Sequence, residues 1–149
     1  QLSGWLAGYT PNIALIHLGS NDAFQSQSAS STIGELGQII DRLRADNPRV
    51  KILLARLIPT STGAAVNARI NELNALITGL VSSKNTALSP VLLVDQNSGF
   101  NPANDTYDGV HPNATGEEKM AQKWQLGLRA LAGLGDTQPP VPPTGVTVR

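Results

Sequence analysis

Cysteine is absent from this 149-residue sequence, which excludes disulfide bonds and thiolate metal sites. Charge is also sparse, and 11 basic residues balance 11 acidic ones without a long run of either sign. This distribution argues against a nucleic-acid partner and against a polybasic membrane-binding surface. No apolar run approaches the roughly 20 residues that a membrane-spanning helix needs. The chain is long enough for one domain with its own core.

Helical and strand-like patterns alternate along the chain. Near-continuous apolar runs, typical of strands buried on both faces, predict strands at 12–18, 50–58 and 90–94. Apolar residues at steps of three or four predict helices around 33–43, 66–80 and 120–131. Such alternation favours parallel strands joined by right-handed crossovers. The predicted fold class is therefore α/β, a three-layer α/β/α sandwich with a parallel sheet of which about three strands are present.

Two short motifs follow predicted strands, at the edge where α/β sheets place their functional loops. In "LGSND", at 18–22, an apolar strand ends abruptly in small and polar residues that include Asn21. In "YDGVHPN", at 107–113, Asp108 stands three residues before His111, one of only two histidines in the chain. Capping-box spacing to a later Glu also predicts helix starts at Thr32 and Thr115.

The two motifs resemble conserved blocks of the SGNH hydrolases, also called GDSL-type esterases and lipases. "LGSND" is similar to the family's third block, Gly-x-Asn-Asp, and "DGVHPN" to its fifth block, Asp-x-x-His-Pro. They occur in the family's order, about 90 residues apart, and the resemblance covers roughly residues 1–132. It implies a flavodoxin-like sandwich and a serine esterase that works through an acyl-enzyme, without cofactor or metal.

The resemblance also assigns roles to three residues. His111 would be the general base, because imidazole suits proton transfer near neutral pH. Asp108 would orient the imidazole and stabilise the imidazolium, with Gly109 giving the turn between them its freedom. The side-chain NH2 of Asn21 would donate to the oxyanion of the tetrahedral intermediate.

The family's nucleophile block, Gly-Asp-Ser, does not occur in these 149 residues. Ser3 and Ser20 are poor substitutes. Ser3 lies in a predicted helix at 2–9, before the first predicted strand, and Ser20 is the variable position of the third block. We therefore expect the nucleophile, one oxyanion donor and two strands upstream of Gln1. On this interpretation residues 1–134 are a partial hydrolase domain, and the chain alone is inactive.

The C-terminal tail differs in composition from the rest. Residues 135–143 contain four prolines in five positions, which predicts an extended linker. Residues 144–149, "TGVTVR", resemble the start of a fibronectin type III module. A modular, secreted enzyme that acts on an acetylated polysaccharide or a small ester, with further modules on both sides, is the expectation that follows. The resemblance suggests carbohydrate deacetylation by analogy.

Other interpretations remain open at this point. A hydrolase-like fold could serve as a non-catalytic carbohydrate-binding or adhesion module. A metal site built from Asp105, Asp108 and His111 is conceivable, although no second histidine is placed to help. We expect His17 to be a hydrogen-bonded core histidine.

Three further residues are expected to have local roles. Asp22 should hydrogen-bond locally, and Asp95 should stabilise a strand end. Trp5 and Trp124 should pack on helix faces.

Overall fold

Three parallel strands form the centre of the molecule. A computed structural model describes residues 2–133, with β1 at Ile13–Ile16, β2 at Lys51–Arg56 and β3 at Val91–Asp95. The strands lie in the order β1-β2-β3, with Ile13 opposite Lys51 and Ile52 opposite Val91. The predicted parallel sheet is confirmed. The middle strand, β2, is fully buried from Ile52 to Ala55, and its sequence is apolar at each of these inner positions.

Helices cover both faces of this sheet. Their bounds are α1 Leu2–Leu6, α2 Ser20–Phe24, α3 Ala29–Asp46, α4 Ala64–Lys84, α5 Pro102–Asp105 and α6 Ala114–Ala132. Side chains of α3 and α4 pack against Ile52 and Leu54 of β2, while α6 packs against Leu53 and Ala55 on the opposite face. The alternation along β2 thus separates two helical layers, which confirms the α/β/α sandwich.

The predicted helix starts at Thr32 and Thr115 are wrong. The α3 helix begins one turn earlier, because the Ser28 side chain accepts a hydrogen bond from the Ser31 amide. Thr32 is consequently buried inside the helix. Asn113 caps α6 in the same way, and its Oδ1 accepts from the amides of Thr115 and Gly116. In both cases an earlier Ser or Asn oxygen satisfies the first free amides of the helix.

The two tryptophans behave differently from each other. Trp124 packs from α6 onto the sheet, as predicted. Trp5 is 72% exposed, so its predicted helix-face packing is wrong. Within residues 2–133 no helix combines the length and the apolar character needed to cross a membrane. The proline-rich segment 135–143 and the fibronectin-like segment 144–149 lie outside the described residues.

A buried asparagine ties α4 to the end of β2. The Asn74 side chain accepts from the Leu57 amide at 2.7 Å and donates to the Leu57 carbonyl at 2.9 Å. Leu57 is fully buried and follows the last residue of β2, so its backbone groups cannot form hydrogen bonds with solvent. The asparagine therefore completes the strand's hydrogen bonding just where the chain leaves the sheet.

We expect Asn74→Ala to lower the free energy of unfolding by about 1–3 kcal/mol, the cost of leaving a buried amide unpaired. Asn71→Ala is the matched control, since Asn71 is exposed on the same helix. Urea unfolding of the intact protein would compare the two variants. Equal stability of the two would contradict the role given to Asn74.

Candidate active site

The Asp108 carboxylate has two separate sets of partners. Its Oδ1 accepts from the backbone amides of Val110 at 2.9 Å and His111 at 2.8 Å, which closes the turn. Its Oδ2 lies 2.7 Å from Nδ1 of the His111 ring. One oxygen therefore shapes the backbone, and the other orients the imidazole.

The His111 ring is available for proton transfer at its second nitrogen. The His111 side chain is 75% exposed and that of Asp108 is 53% exposed. With Nδ1 donating to the carboxylate, Nε2 has no hydrogen-bond partner among residues 2–133 and can accept a proton. The structure thus brings together the two residues that the sequence paired.

Hydrogen bonding keeps Asp108 ionised. The His111 backbone amide, then the His111 ring and the Val110 amide, hold the pKa of the Asp108 carboxyl well below its usual range. A carboxyl with a lowered pKa in the folded state keeps its stabilising bonds above the ordinary pKa. Those bonds weaken only as the pH falls through the lowered value. Asp108 is therefore a carboxylate throughout the range in which imidazoles titrate.

Gly109 is required by the shape of this turn. It has φ +87°, in the region that favours glycine, and its amide donates to Thr106 Oγ1 at 2.8 Å. A Cβ at this position would lie 2.3 Å from Ser61 Oγ. The backbone conformation therefore strains any other residue here, and an added side chain would also force Ser61 Oγ to move.

The turn rests on that loop, residues 57–63. The Gly109 carbonyl accepts from the Ser61 amide at 3.0 Å and from the Thr60 hydroxyl at 2.6 Å. The two ends of the turn are also bonded to each other, since the Tyr107 amide donates to the His111 carbonyl at 2.9 Å. The side chains of Asp108 and His111 are exposed, but the backbone that carries them is held by these hydrogen bonds.

Asn21 lies at the same edge of the sheet, after the end of β1. Gly19, just after β1, packs closely against α4, since a Cβ there would lie 2.7 Å from the Leu73 side chain. Asn21 follows in α2, is exposed, and its side chain has no hydrogen-bond partner within residues 2–133. It borders a cavity of about 340 Å³. Its amide is therefore a free donor at the carboxyl edge, although no described hydrogen bond joins it to Asp108 or His111.

Other predicted polar residues fall into different places. Asp95 accepts from the Asn97 and Ser98 amides, which confirms its role at a strand end. The Asp22 side chain forms no hydrogen bond among residues 2–133, so the predicted local bond is wrong. The prediction that His17 is hydrogen-bonded is also wrong, since its Nε2 is buried without a partner among residues 2–133. Burial lowers the pKa of His17.

The alternative metal site is not assembled. Asp105 is buried, and its carboxylate binds Lys119 at 2.7 Å and the Asn101 amide at 2.7 Å. These bonds lower the pKa of Asp105, the Lys119 contact contributing most. Among residues 2–133 no group of three acidic or histidine side chains is arranged to hold a metal ion. The Asp105 carboxylate stabilises the loop and is already engaged there.

Two residues that touch this region were missed by sequence reasoning. Thr60 bonds the Gly109 carbonyl, and Asn67 of α4 bonds the backbone of Thr60. The only signal in the sequence is the position of Thr60, a polar residue just after the "LIP" end of a predicted strand.

Comparison with known proteins gives esterases among the relatives of this chain. The chain is 32% identical to a multidomain esterase of Ruminococcus flavefaciens over 97% of its own length and 20% of that protein. Among solved structures, an acetyl esterase mutant with acetate ion is 35% identical, with a TM-score of 0.81 over 89% of this chain and 64% of that one.

A carbohydrate esterase family 3 protein from Talaromyces cellulolyticus is 33% identical, with a TM-score of 0.78 over 92% of this chain and 65% of that one. The chain thus spans a fifth of the curated relative and just under two thirds of these structures. Residues 1–119 match the model of the GDSL-like lipase/acylhydrolase family. This match, together with the relatives, shows that the chain belongs to the GDSL-like lipase/acylhydrolase family.

Proposed function

We propose that the protein is a serine esterase that hydrolyses carboxylic esters through an acyl-enzyme and removes acetyl groups from polysaccharides. The observation that carries the proposal is the Asp108–His111 pair, whose carboxylate and ring lie 2.7 Å apart with Nε2 free. The names of the relatives, an acetyl esterase and a family 3 carbohydrate esterase, support the choice of substrate class. The serine comes from the segment upstream of Gln1, since no Gly-Asp-Ser block is present here.

The chemistry would use this pair twice. His111 Nε2 takes the serine hydroxyl proton as the serine oxygen bonds to the ester carbonyl carbon, and Asp108 stabilises the resulting imidazolium. The imidazolium then gives its proton to the departing alcohol, which leaves the acyl-enzyme. His111 next takes a proton from water as the water oxygen attacks the acyl carbon. The imidazolium then gives that proton to the serine oxygen as its bond to the acyl carbon breaks, which releases the acid and restores the serine.

Asn21 would act on the oxygen rather than on the proton. Negative charge develops on the carbonyl oxygen in both tetrahedral intermediates, and a fixed NH2 donor stabilises it. The Asn21 amide has no internal acceptor among residues 2–133 that would compete for its protons. Its position after β1 therefore suits an oxyanion donor.

The proposal extends to the surroundings of the domain. A polysaccharide substrate lies outside the cell, so we infer that the protein is secreted. The multidomain relative and the proline-rich segment 135–143 support further modules on the same polypeptide. Cofactors and metals have no part in the proposed mechanism.

In the full-length protein we expect Asp108→Asn to lower kcat on the order of 10⁴-fold, the loss known for the same change in a Ser-His-Asp triad. An amide oxygen can still accept the two turn bonds, so the turn persists while the charge beside His111 is lost. His111→Ala should be at least as inactive. The assay is hydrolysis of p-nitrophenyl acetate, with Asp41→Asn, an exposed residue of α3, as the control.

Near-normal turnover by His111→Ala would remove His111 from the mechanism. Wild-type protein that binds acetylated polysaccharide but hydrolyses no ester would favour the alternative, a non-catalytic carbohydrate-binding module.

For Asn21→Ala we expect kcat to fall about 10²–10³-fold with KM little changed, because the bond strengthens only in the transition state. Asn71→Ala, an exposed asparagine on α4, is the matched control. A rise in KM without a loss of kcat would instead assign Asn21 to ground-state substrate binding.

We expect residues 1–149, expressed alone, to be inactive towards short-chain esters and prone to aggregate. No nucleophile block is present, and β1 pairs only with β2 among the described residues. Ile13 and Leu15 are 43% and 45% exposed along this strand, and an open apolar edge invites pairing between molecules. Ester hydrolysis, thermal unfolding and light scattering test this, with Leu15→Lys expected to reduce the aggregation. A monomeric, active and cooperatively melting chain would contradict the prediction.

A further inference from the structure

We propose that Thr60 and Asn67 are positioning residues for the Asp108–His111 pair. Thr60 donates to the Gly109 carbonyl, beside the Ser61 amide, and Asn67 binds the Thr60 backbone. Through that carbonyl the two residues support the turn that carries both reacting side chains. This inference rests on the proposed esterase function. It concerns two residues that touch neither the imidazole nor the carboxylate.

The Thr60 hydroxyl forms as many hydrogen bonds as a hydroxyl can. It is buried, with the residue 3% exposed, and donates its single hydrogen to the Gly109 carbonyl at 2.6 Å. Its oxygen then accepts from the Thr62 amide at 3.1 Å and from the Thr62 hydroxyl at 2.8 Å. A hydroxyl has one donor and two acceptor positions, and all three are occupied.

Asn67 fixes Thr60 from the helix side. Its Oδ1 accepts from the Thr60 amide at 2.9 Å, and its Nδ2 donates to the Thr60 carbonyl. Both backbone groups of Thr60 are thereby bound by one side chain of α4, a helix of 21 residues. A continuous set of hydrogen bonds runs from this helix through Thr60 to Gly109, the residue that directly follows Asp108.

The pair depends on this support because packing gives it little. The side chains of Asp108 and His111 are 53% and 75% exposed, so no surrounding core restricts them. Their relative placement follows from the backbone of the turn, and the Gly109 carbonyl, which accepts from the Thr60 hydroxyl and the Ser61 amide, is where the turn is bonded to the loop after β2. A displacement of about 1 Å at a reacting group can cost on the order of 10²-fold in rate.

A second buried hydroxyl in the chain separates positioning from stability. Ser89 is 2% exposed, and its hydroxyl donates to the Val50 carbonyl at 2.6 Å, the same length as the Thr60 bond. Ser89 precedes β3 and Val50 precedes β2, so this bond lies at the opposite edge of the sheet. Removing either hydroxyl costs a comparable buried hydrogen bond, but only Thr60 is connected to the pair.

The experiment measures kcat, KM and the unfolding free energy of Thr60→Val, Thr60→Ser and Ser89→Ala in the full-length protein with p-nitrophenyl acetate. We expect Thr60→Val to lower kcat on the order of 10²-fold at nearly unchanged KM. Thr60→Ser should restore most of kcat, because it keeps the hydroxyl. Ser89→Ala should lose stability but keep kcat.

Wild-type kcat in Thr60→Val, or an equal loss of kcat in Ser89→Ala, would overturn the inference. If Thr60→Val does not fold, Asn67→Ala takes its place, since alanine favours the helix. A lowered kcat in that variant supports the inference, and an unchanged one overturns it. Full activity of His111→Ala would refute the esterase mechanism itself, whereas an inactive His111→Ala beside a fully active Thr60→Val refutes only this inference.

Discussion

The burial of β2 on both faces and along both edges is the constraint on which the rest of this structure depends. Its residues Ile52 to Ala55 are fully buried, with a strand on either side and a helical layer above and below. Such a strand has no water for its backbone groups, so every amide and carbonyl at its exit needs a partner within the protein. Asparagine side chains supply several of these: Asn67, Asn74 and Asn97.

This requirement also explains why the proposed active site is built where it is. A buried strand that ends in well-satisfied polar groups gives a rigid edge, and rigid edges position exposed groups accurately. The side chains of the Asp108–His111 pair are exposed to solvent, whereas the segment that leaves β2 is buried beneath them. The exposed pair is thus accessible to a substrate, and the buried segment keeps it in place.

The sequence predicted the parts of this arrangement that are local. The apolar run of β2 and the helical spacing of α3, α4 and α6 carry enough signal to predict a sandwich. Asp108 and His111 are three residues apart across a glycine, so their contact could be predicted from the chain itself. The helix starts were wrong because two equally plausible capping residues stood a few positions apart.

The non-local parts could not be predicted in this way. Thr60 meets Gly109 across 49 positions, and the bond joins a side chain to a backbone carbonyl that every residue possesses. The residue type at position 109 therefore does not indicate that its carbonyl accepts this hydrogen bond. His17 fails for a related reason, because burial within an apolar strand was visible but the availability of a partner for Nε2 was not.

The two asparagines of α4 stand seven positions apart, which is close to two helical turns and places them on one face. Both bind the backbone of the segment that leaves β2, Asn74 at Leu57 and Asn67 at Thr60. The helical spacing of the two asparagines consequently fixes where Leu57 and Thr60 lie along α4. Inserting or deleting one residue between them would rotate one asparagine by about 100° and detach it. An insertion or deletion in that interval of α4 would therefore disconnect the helix from one of its two attachment points on the loop, Leu57 or Thr60.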